Sequence, residues 1–374
     1  MSKKRLFAIY LPQFHPIPEN DKFWGKGFTE WHNVATGKPQ YPGHYQPHIP
    51  TELGFYDLRV EETLEEQSIL AKQHGIDGFL FYHYWFNGKP VMNRPLQTYL
   101  GMKKNKLPYF FCWANENWTR RWDGGEKDVL LDQDYSQAEA EHHLDYLATY
   151  FSDENYLKIN GCPVLVIYKP FLIPELKEWI SKFRELSSKH GFRDIYLVYM
   201  IHQGLDKSPR VESSGFDAGL TFEPSFDVLP LKKYRLKLSD KVGKLRHILR
   251  LKKELPIIYR HNRIDYNDYV DYRMSQNQAQ QKSPVFPMVF PSWDNTCRRK
   301  KGGGTIFTDS NPATFRKWLS YAVNNVPASS EEENLVIVNA WNEWAEGNHL
   351  EPCIKWERQY LEAVREVVQT SDEN

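Results

Sequence analysis

The sequence has no net charge and few cysteines. Its 374 residues include 48 basic and 48 acidic side chains, so no excess charge of one sign attracts nucleic acid or an anionic membrane. The four cysteines are far apart and show no C-x-x-C pattern: Cys112, Cys162, Cys297 and Cys353. This usage favours a reduced protein over one that disulfides hold together. We therefore expect a cytoplasmic protein with no nucleic-acid partner.

Long apolar runs are also missing. The run near the amino terminus, Leu6 to Leu11, ends at Pro12, whereas the core of a secretory signal peptide needs about 7–15 apolar residues. No stretch approaches the roughly 18 apolar residues of a membrane helix. The sequence thus predicts no transmembrane segment.

Motifs for cofactor, metal and serine-nucleophile chemistry are absent as well. There is no glycine-rich phosphate loop and no G-x-S-x-G motif. His44 and His48 share one segment, and His142 and His143 share another. Neither pair belongs to an H-E-x-x-H or three-ligand pattern. We predict neither a cofactor nor a metal site.

Apolar and aromatic residues, in contrast, are abundant: 41% of the chain is hydrophobic and 15% is aromatic, with 12 tryptophans. Eight short apolar runs have the length and the β-branched or aromatic content of buried strands. They are residues 6–14, 78–85, 109–115, 164–170, 195–201, 219–225, 284–290 and 334–341. Segments with helical periodicity alternate with them, at residues 60–75, 136–151, 174–191, 311–325 and 354–368.

This alternation predicts an α/β fold, a (β/α)8 TIM-like barrel that forms one domain over residues 1–374. A doubly wound sheet is the alternative, but no G-x-G-x-x-G follows the first strand. Residues 15–58 are rich in Pro, His and Gly, and residues 228–283 are basic and then rich in Tyr and Gln. We expect long βα loops, with a helical excursion over 228–283 before strand seven.

Acids, amides and indoles follow nearly every predicted strand. The carboxyl ends of barrel strands form one face, which carries the active site, so we expect these side chains to meet in one cleft. Carboxylates and amides bind sugar hydroxyls, and aromatic faces stack on sugar rings, so the expected substrate is an oligosaccharide or polysaccharide. The candidates are His83, Trp85, Asn115, Trp118, Trp122, Tyr168, Glu223, Trp293 and Asn342.

The segment "NAWNEWAEGNHLEP" (339–352) directly follows the eighth strand and contains Glu343 and Glu346 among tryptophans. Glycoside chemistry needs one carboxylic acid at the leaving oxygen and a second group that assists at the anomeric carbon. An ordinary Glu titrates near 4.3, so apolar neighbours or a second charge must raise the pKa of the acid. The pair alone is also compatible with a solvated turn, but the pattern at the other strand ends favours catalysis.

The chain resembles the glycoside hydrolase family 99-like proteins, also called WbsX-type, of bacterial surface-polysaccharide gene clusters. The resemblance extends from "FAIYLPQFHPIPENDKFWGKGFTEWHNV" through "DGFLFYHYWFNGK", "PYFFCWANENWTRRWDG" and "FPSWDNTCRR" to "NAWNEWAEGNHLEP". It implies a barrel related to endo-acting α-mannosidases that retain anomeric configuration, and O-antigen or similar polysaccharide as context.

The resemblance also implies residue roles. Glu343 would be the base that deprotonates the 2-hydroxyl of the substrate, which then attacks C1. Glu346 would be the acid at the leaving group and later the base on water. By similarity, Tyr10, Trp31, Glu116 and Asp294 would line the sugar subsite. Three functions stay open: a glycoside hydrolase, a glycosyltransferase or transglycosylase, and an inactive carbohydrate-binding barrel.

Overall fold

A computed structural model describes residues 4–120, 125–202, 211, 213–225, 261–276, 284–299, 303–325 and 330–372. Its centre is a barrel of parallel strands, and all eight predicted strands are present. Seven of them, in chain order, are Arg5–Tyr10 (strand one), Gly78–Phe86 (two), Tyr109–Trp113 (three), Cys162–Ile167 (four), Tyr196–Ile201 (five), Ala218–Thr221 (six) and Leu335–Val338 (eight). The predicted (β/α)8 barrel is confirmed.

Strand seven is divided at Pro287. Its first part, Val285–Phe286, pairs with strand six, and its second part, Met288–Val289, pairs with strand eight. Strand eight also pairs with strand one, so the parallel sheet closes through the two parts of strand seven. Proline has no N–H to donate to a ladder, which explains the interruption at this position.

Helices surround the barrel, and the five predicted ones are confirmed: Glu61–Gln73, Gln137–Phe151, Leu176–Lys189, Pro312–Asn325 and Gln359–Asp372. Among the described residues, three further helices were not predicted, Pro18–Trp24, Trp31–Ala35 and Arg94–Gly101, and the helix Tyr266–Ser275 falls within the predicted excursion. Local sequence fixes several ends. The Ser136 hydroxyl accepts the Glu139 N–H (3.3 Å), and the Asn311 side chain accepts the Thr314 N–H (2.9 Å).

Most strands, though not strands two and five, end earlier than predicted because the polar residues that follow them leave the sheet. Strand eight ends at Val338 and strand three at Trp113, so the side chains of interest lie on the following loops. All residues of these two strands are buried, as expected for strands covered on both faces. This arrangement directs the loops to one end of the barrel.

Part of the predicted helical excursion is visible. Residues 261–276 form a short strand, Asn262–Asp265, and the helix Tyr266–Ser275, while 228–260 and 277–283 lie outside the described residues. The short strand pairs in parallel with Thr305–Thr308. In the described part of the chain, no helix has the length and apolarity to cross a membrane. The four cysteine thiols form no disulfide.

Candidate active site

A cleft of about 830 Å³ opens at the carboxyl end of the barrel. This volume is within the range of small-molecule sites. Its walls come from the loops after strands one to four and six to eight. The lining residues with polar or aromatic side chains are Gln13, Tyr82, Tyr84, Phe86, Glu116, Asn117, Trp118, Thr119, Gln133, Tyr135, Tyr168, Lys169, Phe171, Phe222, Trp293, Asn295, Arg298, Arg299, Asn339, Glu343 and Glu346.

Glu343 and Glu346 lie on a tight hairpin directly after strand eight. Asn342–Glu343 pairs in antiparallel fashion with Asn348–His349, and the 3₁₀ turn Trp344–Glu346 connects the two. Gly347 ends this turn at φ +57°, a conformation that favours glycine. A Cβ there would lie 3.1 Å from the His48 ring and 3.2 Å from the Asp294 Cβ. The hairpin is therefore closely packed on its outer side.

Hydrogen bonds fix this hairpin to the neighbouring strand ends. The Asn342 side chain accepts the Leu11 N–H at 2.8 Å and donates to the Leu11 carbonyl at 3.1 Å, which connects strand eight to the end of strand one. The Asp294 N–H donates to the Glu346 carbonyl at 2.6 Å, which connects it to the loop after strand seven. Both carboxylates are thus carried on a backbone with little freedom.

Arg298 is the centre of the site's charges. Its Nη2 lies 2.9 Å from Glu343 Oε1 and its Nη1 lies 2.8 Å from Glu346 Oε1. A third carboxylate, Glu30 Oε2, lies 3.1 Å from both Nη2 and Nε. One guanidinium therefore joins three carboxylates, and the four groups would have a net charge of −2 if all were ionised.

This cluster is largely removed from water, which changes its titration. Burial raises the pKa of Glu343 well above its ordinary value and also raises the pKa of Glu346, against the opposing effect of Arg298. Burial lowers the pKa of Arg298, but the three carboxylates outweigh it and raise that pKa further above its usual range. An ionised arginine beside two carboxyl groups whose pKa values are raised is an arrangement suited to acid–base catalysis.

A second buried network supports the hairpin from behind. Glu351 accepts hydrogen bonds from Trp344 Nε1 (2.6 Å), Tyr56 OH (2.8 Å) and Gln67 Nε2 (2.7 Å). Burial raises the pKa of Glu351 to about 7. The Trp344 ring also stacks on His349, with ring centres 3.7 Å apart. Trp344 is therefore a structural member of the hairpin rather than an exposed platform.

Six of the sequence-predicted site residues line the cleft together: Glu116, Trp118, Tyr168, Trp293, Glu343 and Glu346. Glu116 forms an ion pair with Lys169. Asn115 lies beneath it: its side chain accepts the Lys169 N–H at 2.6 Å and donates to the Lys169 carbonyl at 2.9 Å, which joins the ends of strands three and four. Asn115 is buried and supports the lining rather than forming it.

On strand two, His83 and Trp85 face the outer helix. His83 Nε2 lies 2.8 Å from His143 Nε2, and Trp85 Nε1 donates to Glu139 Oε1 at 2.6 Å. Their neighbours Tyr82 and Tyr84 line the cleft instead. Successive residues of a strand point to opposite faces, so Tyr82 and Tyr84 face the cleft while His83 and Trp85 face the helix. The prediction chose the wrong one of these two alternating sets.

Other predicted site residues have structural partners. Tyr10 is buried and donates to Gln67 (2.6 Å), and the indole N–H of Trp31 donates to the Tyr56 carbonyl (2.7 Å). Glu223 lies 2.5 Å from Arg273 on the excursion helix. Asn342 makes the strand-bridging bonds described above. Trp122 lies outside the described residues.

Asp294 faces a separate cavity of about 410 Å³, and Trp293 is the wall between this cavity and the cleft. Gln40 N–H donates to His44 Nδ1 (2.9 Å), so Nε2 carries the proton that His44 donates to Asp294 (2.6 Å). Burial disfavours the Asp294 carboxylate, but hydrogen bonds from His44 and Thr296 outweigh it and hold the pKa of Asp294 below its usual value. Asp294 is thus an ionised support of the hairpin.

Glu30, Arg298, Tyr82, Tyr84 and Lys169 were not predicted. Glu30 precedes Trp31 in "FTEW", and Arg298 ends "SWDNTCR", so both lie in segments whose composition indicated the site. Arg298 lies 45 residues from Glu343 and 268 residues from Glu30 in sequence, so no local pattern encodes their convergence. Among the described residues, no group of three His, Cys, Asp or Glu side chains is arranged to hold a metal ion.

A family model described as glycosyltransferase WbsX matches residues 6–364. The chain belongs to the WbsX glycosyltransferase family. Within it, the chain is 38% identical over 369 residues to the uncharacterized protein WxcX of Xanthomonas campestris pv. campestris. That match covers 97% of this chain and 49% of WxcX, so the chain spans about half the length of the curated relatives it matches.

Solved structures share the fold of this WbsX-family chain. A glycoside hydrolase-like protein is 15% identical, with a TM-score of 0.59, over 98% of this chain and 94% of that one. The GH99 endo-alpha-mannosidase of Bacteroides thetaiotaomicron, in complex with BIS-TRIS-propane, is 12% identical with a TM-score of 0.59, over 100% and 99% of the two chains. At these identities the likeness shows the fold alone.

Proposed function

We propose that the chain is a retaining, endo-acting glycoside hydrolase that cleaves a mannose-like α-linkage in a bacterial polysaccharide or oligosaccharide. The single observation that carries the proposal is the pair of carboxyl groups of Glu343 (buried) and Glu346 (partly buried), held by Arg298 at the wall of a cleft with aromatic walls. The GH99 endo-alpha-mannosidase that shares the fold supports the choice of linkage.

The pair can divide the work of one displacement. Glu343, as base, accepts the proton of the sugar 2-hydroxyl, and O2 attacks C1 while the bond from C1 to the leaving oxygen breaks. Glu346, as acid, gives its proton to that oxygen. The product of this step is a 1,2-anhydro sugar, and the configuration at C1 is inverted.

The second step returns Glu343 and Glu346 to their original protonation states. Glu346, now a carboxylate, takes a proton from water, and the water oxygen attacks C1 as the bond from C1 to O2 breaks. Glu343 returns its proton to O2. Two inversions give overall retention. Burial supports this exchange because it raises the pKa of both carboxyl groups and so favours the protonated form that each group takes in turn.

The cleft suits a sugar chain on chemical grounds. Trp118 and Tyr168 offer aromatic faces to sugar C–H groups, and Glu116 and Lys169 offer an acceptor and a donor for hydroxyl pairs. No cofactor is needed for this chemistry. A binding protein would need the aromatic walls but not two acids on one buried arginine, which disfavours an inactive barrel.

The test is to incubate the chain with α-mannosyl-linked oligosaccharides and follow the products by proton NMR. We expect the first-formed hemiacetal to have the α configuration of the substrate. Glu343→Gln and Glu346→Gln are the matched controls, and Glu366→Gln on the outer face is the neutral control. Binding of oligosaccharide without turnover, unchanged in both active-site variants, would instead establish an inactive carbohydrate-binding barrel.

Glycosyl transfer is the second candidate, and the name of the family model favours it. The same 1,2-anhydro sugar can be opened by the hydroxyl of an acceptor glycan instead of water. Transfer from a nucleotide sugar is less compatible with this chain, because its sequence has no dinucleotide or phosphate-loop motif. The two reactions differ in their products, which a mixture of donor and acceptor distinguishes.

A further inference from the structure

Glu30 holds one edge of the site's arginine. Its Oε2 accepts from Nε and Nη2 of Arg298, both at 3.1 Å, while Glu343 lies 2.9 Å from Nη2 and Glu346 lies 2.8 Å from Nη1. The Glu30 side chain is 2% exposed, and Glu30 is not among the described residues that line the cleft. It therefore acts on the site only through Arg298 and through its charge.

We infer that Glu30 is a positioning residue of the acid pair: it fixes the plane of the Arg298 guanidinium and, as a third buried carboxylate, sets how many protons the pair holds. The role of the pair as acid and base is the function proposed above, and this inference rests on it.

The geometry of arginine explains the first part. A guanidinium is planar, with five N–H donors in a fixed fork, so two bonds on its Nε and Nη2 edge determine where the remaining donors point. With that edge held by Glu30, Nη1 is directed to Glu346, and Nη2 is shared between Glu30 and Glu343. Removing Glu30 leaves the guanidinium free to turn toward either catalytic carboxylate.

Charge explains the second part. Three carboxylates around one guanidinium leave two negative charges uncompensated, and in a buried site this favours protonation of at least one carboxyl group. Glu30 is among the groups that raise the pKa of both Glu343 and Glu346. It thereby favours the protonated form of the leaving-group acid.

Other charged or titratable groups face this cluster, but none replaces Glu30. Arg299 acts on Glu346 in the same direction as Arg298. Burial raises the pKa of Tyr82, Tyr84 and Cys297, so these groups are neutral near pH 7. Asp294 is ionised, but its carboxylate accepts hydrogen bonds from His44 and Thr296.

The sign of the expected effect follows from these charges. In Glu30→Gln, a like charge is lost, so both remaining carboxyl groups ionise more easily and their pKa values fall. Both limbs of the pH–rate profile should move to lower pH by roughly one to two pH units. In Arg298→Gln, the positive charge that all three carboxylates contact is lost, so both limbs should move to higher pH. The two opposite displacements do not depend on which glutamate is the acid.

The experiment measures kcat and kcat/KM from pH 4 to 9 for the wild type, both variants and Glu30→Asp. The aspartate keeps the charge on a shorter side chain, so it should restore most of the profile's position while kcat stays reduced. Arg298→Lys is the milder partner if Arg298→Gln does not fold. Glu366→Gln and Arg316→Gln, an exposed ion pair on the outer helices, are the matched controls.

A readout without turnover separates this inference from the proposed function. Carbon-13 NMR of labelled glutamate carboxyls follows the titration directly, with Glu343→Gln and Glu346→Gln to assign the two signals. If the wild type cleaves no glycan but Glu30→Gln still lowers both carboxyl titrations, only the proposed function fails. If Glu30→Gln loses activity or stability while the profile and titrations stay in place, Glu30 is merely structural and the inference is overturned.

Discussion

Glu343 and Glu346 share one guanidinium but differ in exposure. The Glu343 side chain is 7% exposed and that of Glu346 is 19%. An acid that serves the leaving oxygen and then activates water needs access to solvent, whereas a base at the 2-hydroxyl acts inside the bound sugar ring. The difference agrees with the proposed roles, with Glu346 as the acid and Glu343 as the base.

The two roles predict different responses to the leaving group. Glu346→Gln should lose about 10²–10⁴ in kcat/KM on a natural linkage but keep measurable activity on an activated aryl glycoside, because a good leaving group needs no proton. Steady-state rates on both substrates measure this. Equal losses on both substrates would argue against Glu346 as the leaving-group acid.

Glu343→Gln should be slow on both substrates, because no leaving group replaces the base at the 2-hydroxyl. By the same reasoning, a 2-deoxy or 2-fluoro substrate should bind the wild type and turn over very slowly. Competition binding and rates on these analogues check both statements. Azide rescue of Glu343→Gln with inverted product would show that Glu343 is itself a nucleophile.

Glu351 should make stability depend on pH. Burial raises its pKa to about 7, so from pH 4.5 upward the unfolded chain releases a proton that the folded chain keeps. The stability from this group is present below pH 4.5 and is lost as pH rises to 7, by about 3 kcal/mol in total. Urea unfolding of wild type and Glu351→Gln at pH 5 and pH 8 measures it. The difference in unfolding free energy between the two proteins should change by that amount, and a constant difference would contradict the prediction.

At the level of secondary structure, the barrel could be predicted because its strands are covered on both faces and read as continuous apolar runs. Because these runs are apolar at every position, they do not indicate which side chains point into the barrel. His83 and Trp85 were therefore chosen on strand two, where Tyr82 and Tyr84 line the cleft. The glutamate pair could be predicted because both members lie in one short hairpin after strand eight.

What could not be predicted depends on distant loops. Glu30 and Arg298 come from the loops after strands one and seven, and only the closed sheet brings them together. Likewise, Asn115 and Asn342 lie at strand ends, where a side-chain amide could bind a sugar hydroxyl or the backbone of a neighbouring strand. Their use in fastening one strand end to the next requires knowledge of which strands are neighbours.

The hairpin of strand eight should be sensitive to one methyl group. In Gly347→Ala the alanine must keep a positive φ, and its Cβ meets His48 and Asp294. Together these effects should cost about 1–2 kcal/mol of stability. A displaced Glu346 should lower kcat by about 10- to 100-fold. Thermal unfolding and rates test this, with Gly101→Ala as the control, since no atom lies within 4 Å of its added Cβ. Wild-type activity in Gly347→Ala would show that the turn is not held as tightly as these contacts indicate.

Across the whole molecule, loops from both ends of the sequence and from its middle contribute to one cleft of about 830 Å³. In the proposed reaction, the 1,2-anhydro sugar lies in this cleft, and Glu346 is the base that deprotonates the group that attacks it. Water and an acceptor hydroxyl compete for that position. The chain spans about half the length of its curated relatives, so the prediction below concerns the reaction of this chain by itself.

We predict that this chain releases free sugar faster than it extends an acceptor. Water is at far higher concentration than any glycan, and Glu346 is the more exposed of the two acids, so water reaches it unless an acceptor is held in place. The measurement compares oligosaccharide donor alone with donor plus excess acceptor, and quantifies products by mass spectrometry. Glu343→Gln reports any background reaction. An elongated product with little free sugar would defeat the hydrolase proposal and favour transfer, because the acceptor would then have excluded water from an otherwise open cleft.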